Sequence, residues 1–335
     1  MSYLLSVALF CGLLALLLLA ASFVLVPAWE NSPWKTLAET AHEVDVLVFG
    51  SSRTYCTVIP MEMWRHEGVT AVDVAGPSQP LPVTLSFMRQ AFKTQDPVVV
   101  MVEVSAVGMD SDPWCDLPMA HRSFDNMPAG VERTTSILQS TPPTAWMELL
   151  LPLHAYHSRL PELTRNDLTL GKFGRFTYRR GADYWTVVTP QSGAVEIRSC
   201  PESAYLRDLE TIRQMAAECE DRGIRLVLYV SPSFRRVAVG GLPLLERIAA
   251  DLRDDHPQVD LLDLNQVAES IGVDPARDYM DSVHLNIRGA TKVSRWLGAH
   301  LVDSYGVQDR RRASFADRWD EDLRRYDAAC PGIGD

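Results

Sequence analysis

The chain opens on an unbroken apolar run. From Leu4 to Val26 no charged residue occurs, and the stretch reads LLSVALFCGLLALLLLAASFVLV. At 1.5 Å per residue, roughly 23 positions make a helix of about 30–35 Å, the thickness of a bilayer core. Pro27, Trp29 and Trp34 follow as a helix stop and an interfacial aromatic flank. A cleaved signal peptide would carry a shorter apolar region, ~7–15 residues, behind a basic stretch. Met1-Ser2-Tyr3 supplies no Lys or Arg, so the pattern predicts an uncleaved anchor and linker over 1–34. Lys35 is the one cation close to either end, so charge hardly orients the helix. The short leading tail leaves the large domain as the translocated part. The expected location is therefore the cytoplasmic membrane, single-pass, with the domain on the extracytoplasmic (periplasmic or cell-surface) side and bilayer lipid as its first partner.

Beyond the linker, apolar runs alternate with amphipathic ones. Val44–Phe49 (ending at Gly50), Val69–Val74, Val98–Val104, Arg225–Val230 and Val259–Leu264 read as strands. Leu81–Thr94, Ala204–Arg222, Leu244–Leu252 and Ile287–Tyr305 carry helical spacing. Strands separated by helices make βαβ units, hence an α/β domain over 35–305 with a mostly parallel sheet covered on both faces. Right-handed crossovers then align the strand C-termini along one edge, where the active sites of such sheets sit. The alternation lapses over about 106–202, a proline-rich stretch with a helical piece around Trp146–Leu160. A segment so long is expected to be functional, here an insertion roofing the strand edge. In the tail, 306–335, Asp309–Asp327 reads as a charged, solvated helix.

Composition narrows the function classes. Hydrophobic residues make up 47% and charged residues 22%, a globular balance. The net charge of -11 opposes a nucleic-acid binder, whose affinity rests on neutralising phosphates. No C-x-x-C pair exists, which argues against a zinc ribbon or a thioredoxin-like site. Cys56, Cys115, Cys200, Cys219 and Cys330 lie outside the anchor and allow up to two disulfides in an oxidising space.

Two short stretches carry candidate chemistry. Gly50-Ser51-Ser52-Arg53-Thr54 follows the first strand, where small residues let a serine hydroxyl project from the sheet edge beside backbone N–H groups. Either serine, Ser51 or Ser52, fits that description, and either also fits a plain helix cap. Asp281-Ser282-Val283-His284-Leu285-Asn286 precedes the last helix. A carboxylate three residues ahead of a histidine can orient the imidazole through one ring nitrogen, leaving the other to take a serine proton. Both stretches belong to the same strand edge of a parallel sheet, so they can meet.

With these residues the chain resembles the SGNH/GDSL hydrolase family. Gly50-Ser51-Ser52 matches its Gly-Asp-Ser turn, which makes Ser52 the nucleophile, and Asp281 with His284 matches its D-x-x-H pair. Val74-Ala75-Gly76-Pro77 looks like its second block, so the amides of Ser52 and Gly76 are the implied oxyanion donors. The third block usually reads Gly-x-Asn-Asp. This chain has Val102-Glu103-Val104-Ser105 there, leaving Ser105 as the substitute donor. The resemblance covers roughly 44–104 and 203–303 and implies a flavodoxin-like three-layer α/β/α fold with five strands and no cofactor. The GSSR turn, the altered third block and the anchor are similar to a membrane-anchored branch that includes proteins of D-alanyl-lipoteichoic-acid biosynthesis and alginate O-acetylation. The implied activity is serine acyl transfer or ester hydrolysis on a cell-surface glycan or lipid-linked polymer, alongside a membrane-bound O-acyltransferase.

Arg53 is a candidate for holding an anionic or polar substrate group, against an ordinary helix-surface role. Cys56 reads as a small buried hydrophobe. His154 and His157 share a helix face without a third ligand, and Asp110, Asp112 and Asp116 form a loose acidic loop, so no metal site is expected. Two rival readings remain. One is a non-catalytic accessory or glycan-binding subunit of a polysaccharide acylation complex, favoured by Glu103 and Ser105. The other is a phosphate or sugar binder resting on Arg53 alone.

Overall fold

The computed structural model describes residues 2–27, 31–109, 114, 116–169 and 174–330. Trp29, Asp110, Asp112, Pro113 and Cys115 lie outside the described residues. The described strands are β1 (Val46–Gly50), β2 (Ala71–Ala75), β3 (Val99–Glu103), β4 (Glu196–Cys200), β5 (Arg225–Val230), β6 (Arg235–Val239), β7 (Leu242–Pro243) and β8 (Asp260–Asp263). Five of them form one sheet in the order β2-β1-β3-β5-β8, parallel throughout. Every residue of β1 and of β3 is buried, because both sheet faces are covered and unbroken β-branched runs suit such strands. Helices Pro60–Glu67 and Ile287–Tyr305 pack together on one side, Leu81–Ala91 and Glu202–Asp221 on the other. The result is an α/β fold consistent with three layers, preceded by one N-terminal apolar helix, Ser2–Leu25.

The predicted strands and layer helices all form; Arg225–Val230, Leu244–Leu252 and Ile287–Tyr305 keep their bounds, and the others differ by one to three residues at an end. A second sheet, β4-β6-β7, was not foreseen. Its strand β4 reads Glu-Ile-Arg-Ser-Cys, mostly exposed, and gives no apolar run to detect.

The insertion also differs from expectation. Helix Val131–Ser140 packs on Leu81–Ala91, and helix Pro152–Tyr156 packs on the N-terminal helix. Much of the insertion therefore lies beside the sheet, while Ser123 and the insertion's last part reach the strand edge. There Ile287 N–H donates to Trp185 O and Thr189 N–H to Tyr279 O, both at 2.9 Å. Just before it, Asp73 N–H donates to Arg180 O at 2.8 Å, which closes the open side of β2.

The C-terminal helix Ala316–Ala329 is not the solvated element its charge predicted. Trp319 and Tyr326 are buried, and the Trp319 ring lies 5.4 Å from that of Trp64. The fully buried Arg180 guanidinium sits 4.1 Å above the Trp319 ring and 2.5 Å from Asp322. A two-residue apolar stripe and one buried ion pair hold the helix down.

Candidate active site

The turn after β1 is sharp, and Gly50 makes it possible. Its φ is +145°, and a Cβ there would stand 2.3 Å from Thr54 Oγ1 and 2.8 Å from Glu103 Cβ. Ser51 then stands at the N-cap position, without a side-chain capping bond, of a short helix, Ser52–Tyr55, whose first residue is half-buried Ser52. Ser52 Oγ lies 2.8 Å from His284 Nε2. On the other side of the ring, His284 Nδ1 lies 2.8 Å from Asp281 Oδ2. The network assigns the tautomer: Nδ1–H donates to the carboxylate, and Nε2 accepts from the serine hydroxyl.

The loop that carries Asp281 and His284 is itself braced. Tyr279 and Leu285 form a bridge, and Met280 N–H donates to His284 O at 3.0 Å. Asn286 caps the last helix by accepting from Arg288 N–H at 3.0 Å, while its amide donates to Arg277 O at 2.7 Å. Asp281 Oδ1 accepts from the amides of Val283 (2.7 Å) and His284 (2.9 Å). Burial pushes the Asp281 carboxyl up, but the bonds from His284 and Val283 outweigh it and hold the group below its ordinary range. The carboxylate is thus ionised and fixed behind the imidazole.

The three expected oxyanion donors differ in state. The Ser52 amide lies in the first turn of its helix, where N–H groups have no intrahelical acceptor. At Gly76 a Cβ would stand 2.3 Å from Ser123 Oγ and 2.6 Å from Gln79 Oε1, so a larger residue would have to displace both side chains. The Gly76 amide donates to Gly50 O over a long 3.3 Å. The Ser105 hydroxyl donates to Glu103 Oε1 at 2.5 Å, the Ser105 amide to Oε2 at 3.2 Å and the Ser231 amide to Oε1 at 3.3 Å. Glu103 is wholly buried, and burial raises its carboxyl above the usual range against the pull of Arg53 and these bonds. Its role was missed in the sequence, although a lone acid ending an apolar strand was a signal.

Arg53 donates to Ser233 Oγ at 3.3 Å and Arg235 O at 3.2 Å. Burial lowers its pKa, Glu103 opposes this, and the neighbouring Arg198 and Arg235 add to the lowering. It lines a cavity of about 480 Å³ together with Ser105, Ser231, Asn265, Ile197 and Leu244. Tyr55, from the same short helix, lines a second cavity of about 330 Å³ with Ala75 and Pro77. These two cavities flank the relay: Ser52 itself lines neither, while its helix contributes a residue to each.

The other candidates settle simply. Cys56 is buried, and burial pushes its thiol up, away from nucleophilic thiolate character. His154 and His157 are exposed, and Asp116 caps helix Leu117–Phe124 by accepting from Met119 N–H at 3.2 Å. No cluster of three potential metal ligands occurs among the described residues. Cys56, Cys200, Cys219 and Cys330 are free thiols, so the described residues contain no disulfide outside the anchor. No family model, curated protein or solved structure matches this chain.

Proposed function

We propose that this chain is a membrane-anchored, extracytoplasmic serine acyltransferase or esterase of the SGNH type, acting on a cell-surface glycan or lipid-linked polymer. The observation that carries this reading is the unbroken chain from Ser52 Oγ through His284 to Asp281, with both contacts at 2.8 Å. Serine and histidine come from segments 232 positions apart, which a chance surface contact does not explain. In this reading His284 Nε2 takes the Ser52 proton as Oγ attacks an ester or thioester carbonyl. Asp281 steadies the resulting imidazolium. The amides of Ser52 and Gly76 receive the oxyanion, Gly76 by exchanging its long bond to Gly50 O for a better acceptor. Collapse expels the alcohol or thiol with the proton from His284 and leaves acyl-Ser52. A sugar hydroxyl or water, deprotonated by His284, then releases the acyl group.

A cavity on each side of the nucleophile's helix supports transfer between two substrates over simple hydrolysis. An N-terminal helix long and apolar enough to cross a membrane supports action beside an acyl donor delivered there by a membrane-bound O-acyltransferase, at high effective concentration. The test is labelling of the detergent-solubilised chain with a fluorophosphonate. Modification at Ser52, absent in Ser52→Ala and reduced about 10²-fold or more in His284→Ala, is the expected outcome. A folded protein that takes no label at Ser52 overturns the enzyme reading.

One observation favours a second reading, a non-catalytic accessory or glycan-binding subunit of an acylation complex. The Ser105 hydroxyl and the Gly76 amide both donate to acceptors within the protein. That reading requires glycan binding undiminished by Ser52→Ala and no turnover of any activated ester.

A further inference from the structure

Between the N-terminal helix and the insertion runs an apolar groove of about 830 Å³. Leu18, Leu19 and Phe23 of the helix form one wall, and Met127, Ala129 and Leu151 of the insertion form the other. Residues 3–20 of the helix stand clear of the domain, whereas Leu25 and Val26 are buried against it. With the clear length in a bilayer, the groove opens at the level where hydrocarbon meets headgroups. The insertion around it behaves as a lipid-facing surface: Met147, Leu151, Leu160 and Leu168 are exposed, each by 47% or more. Such a patch beside a spanning helix meets lipid, not water. Arg159 donates to the Leu25 carbonyl and pins this surface to the end of the helix.

The groove adjoins a second space. Trp34 and Asn126 line both it and the 330 Å³ cavity beside Tyr55. That cavity is polar, and its chemistry is unsatisfied: Ser123 Oγ, Asn31 Oδ1 and Asn126 Oδ1 are buried without a hydrogen-bond partner, Ser123 being only 2% exposed. Buried oxygens of this kind call for donors such as hydroxyls. Phe87 and Phe176 add flat apolar faces, and Tyr55 comes from the same short helix as Ser52. The groove and the cavity share a wall and together make a space that is apolar at the bilayer end and hydroxyl-seeking beside the nucleophile's helix.

We propose that this space binds an amphiphile, with its hydrocarbon tail in the groove and a polyhydroxylated, sugar-like head in the polar cavity. The inference rests on Ser52 as the nucleophile and gives its reaction a substrate class: a lipid-linked saccharide that enters sideways from the membrane. The probe is a dodecyl glucoside with a diazirine in its tail, applied to the full chain in phosphatidylcholine nanodiscs. Crosslinks should map to residues 127–129 and 150–152, and unlabelled dodecyl glucoside should compete where methyl glucoside does not. Ala129→Trp, at an exposed wall position, should cut crosslinking about tenfold or more while fluorophosphonate labelling of Ser52 is unchanged. Leu151→Trp, on the same wall, repeats the test. Crosslinks elsewhere, insensitivity to both tryptophans, or equal competition by a soluble phosphatidylcholine (an annular lipid only) would overturn the proposal. Ser52→Ala should keep the crosslink, so a failed nucleophile and a failed binding site give different results.

Discussion

The Asp281–His284–Ser52 chain and the Glu103–Ser105 cluster stand at the same edge of the sheet, and each converges on one carboxylate, but they end differently. In the first, Ser52 Oγ–H donates to His284 Nε2 and His284 Nδ1–H to Asp281, whose other oxygen takes two backbone amides, so the chain ends on a half-buried hydroxyl. In the second, a hydroxyl and two amides all turn inward to one carboxyl that solvent does not reach. The first arrangement leaves a hydroxyl at its half-buried end. The inward one ties the end of β3 to the loop after β5 through Ser231, and its charge faces Arg53. The end of β3 is therefore occupied by a brace, and in the proposed mechanism oxyanion binding falls to the Ser52 and Gly76 amides.

The strongest way to break this contrast is Asp281→Asn. The amide cannot stabilise an imidazolium as a carboxylate does, and it favours the wrong tautomer. Turnover of an activated ester should fall about 10²–10⁴-fold with the melting temperature nearly unchanged. The sign of the pH effect follows from the depressed carboxyl. Its contribution is present above the ordinary carboxylate range and is lost only as pH falls through the lower folded value. Titration of Asp281 therefore gives no loss of rate between pH 5 and 7, and a loss there that Asp281→Asn abolishes would contradict the assignment.

Next in size is the brace. Glu103→Ala leaves the Ser105 and Ser231 amides and a hydroxyl in a dry site without their acceptor, and should cost about 2–5 kcal/mol in urea denaturation. Glu103→Gln keeps an acceptor and should cost far less. Because burial raises the Glu103 carboxyl, the stability it contributes is full below the unfolded value and declines as pH rises through the folded one. The difference between parent and Gln variant should therefore move in favour of Gln as pH climbs from 4.5. Labelling of Ser52 should survive in Glu103→Gln. A loss as large as that of His284→Ala would make Glu103 part of the reaction and dissolve the contrast.

The two clusters were not equally legible in the sequence. Ser52, His284 and Asp281 were readable because a sharp strand-to-helix turn needs Gly50, and because a three-residue spacing joins a carboxylate to an imidazole locally. The sheet was readable because β1, β3 and β5 are unbroken apolar runs. Glu103 was visible only as a departure from pattern, since its partners at 105 and 231 are supplied by tertiary contact. The same limit hid β4, exposed except at Cys200 and defined by its pairing to β6. It also hid the docking of the C-terminal helix, whose burial depends on Trp64 and Arg180 in remote segments. Charge density misled there because Asp322 is neutralised by an arginine that sequence spacing cannot assign to it.

A third buried acid sharpens the comparison with the smallest expected effect. Asp73, in β2, is as fully buried as Glu103, yet neither of its oxygens has a hydrogen-bond partner. Burial alone drives its carboxyl well above the ordinary range, whereas at Glu103 three donors and Arg53 resist the same push. A carboxyl left without donors keeps its proton, and a folded chain that holds a proton the unfolded chain releases loses stability as pH rises. Asp73→Asn removes that linkage with little change of shape and should stabilise the protein by about 1 kcal/mol at neutral pH. In urea denaturation the advantage of the Asn variant should grow from pH 5 to pH 8. A gap that shrinks over that range would mean Asp73 is ionised and paired in the folded chain, and that the donors around Glu103 are not what separates these two acids.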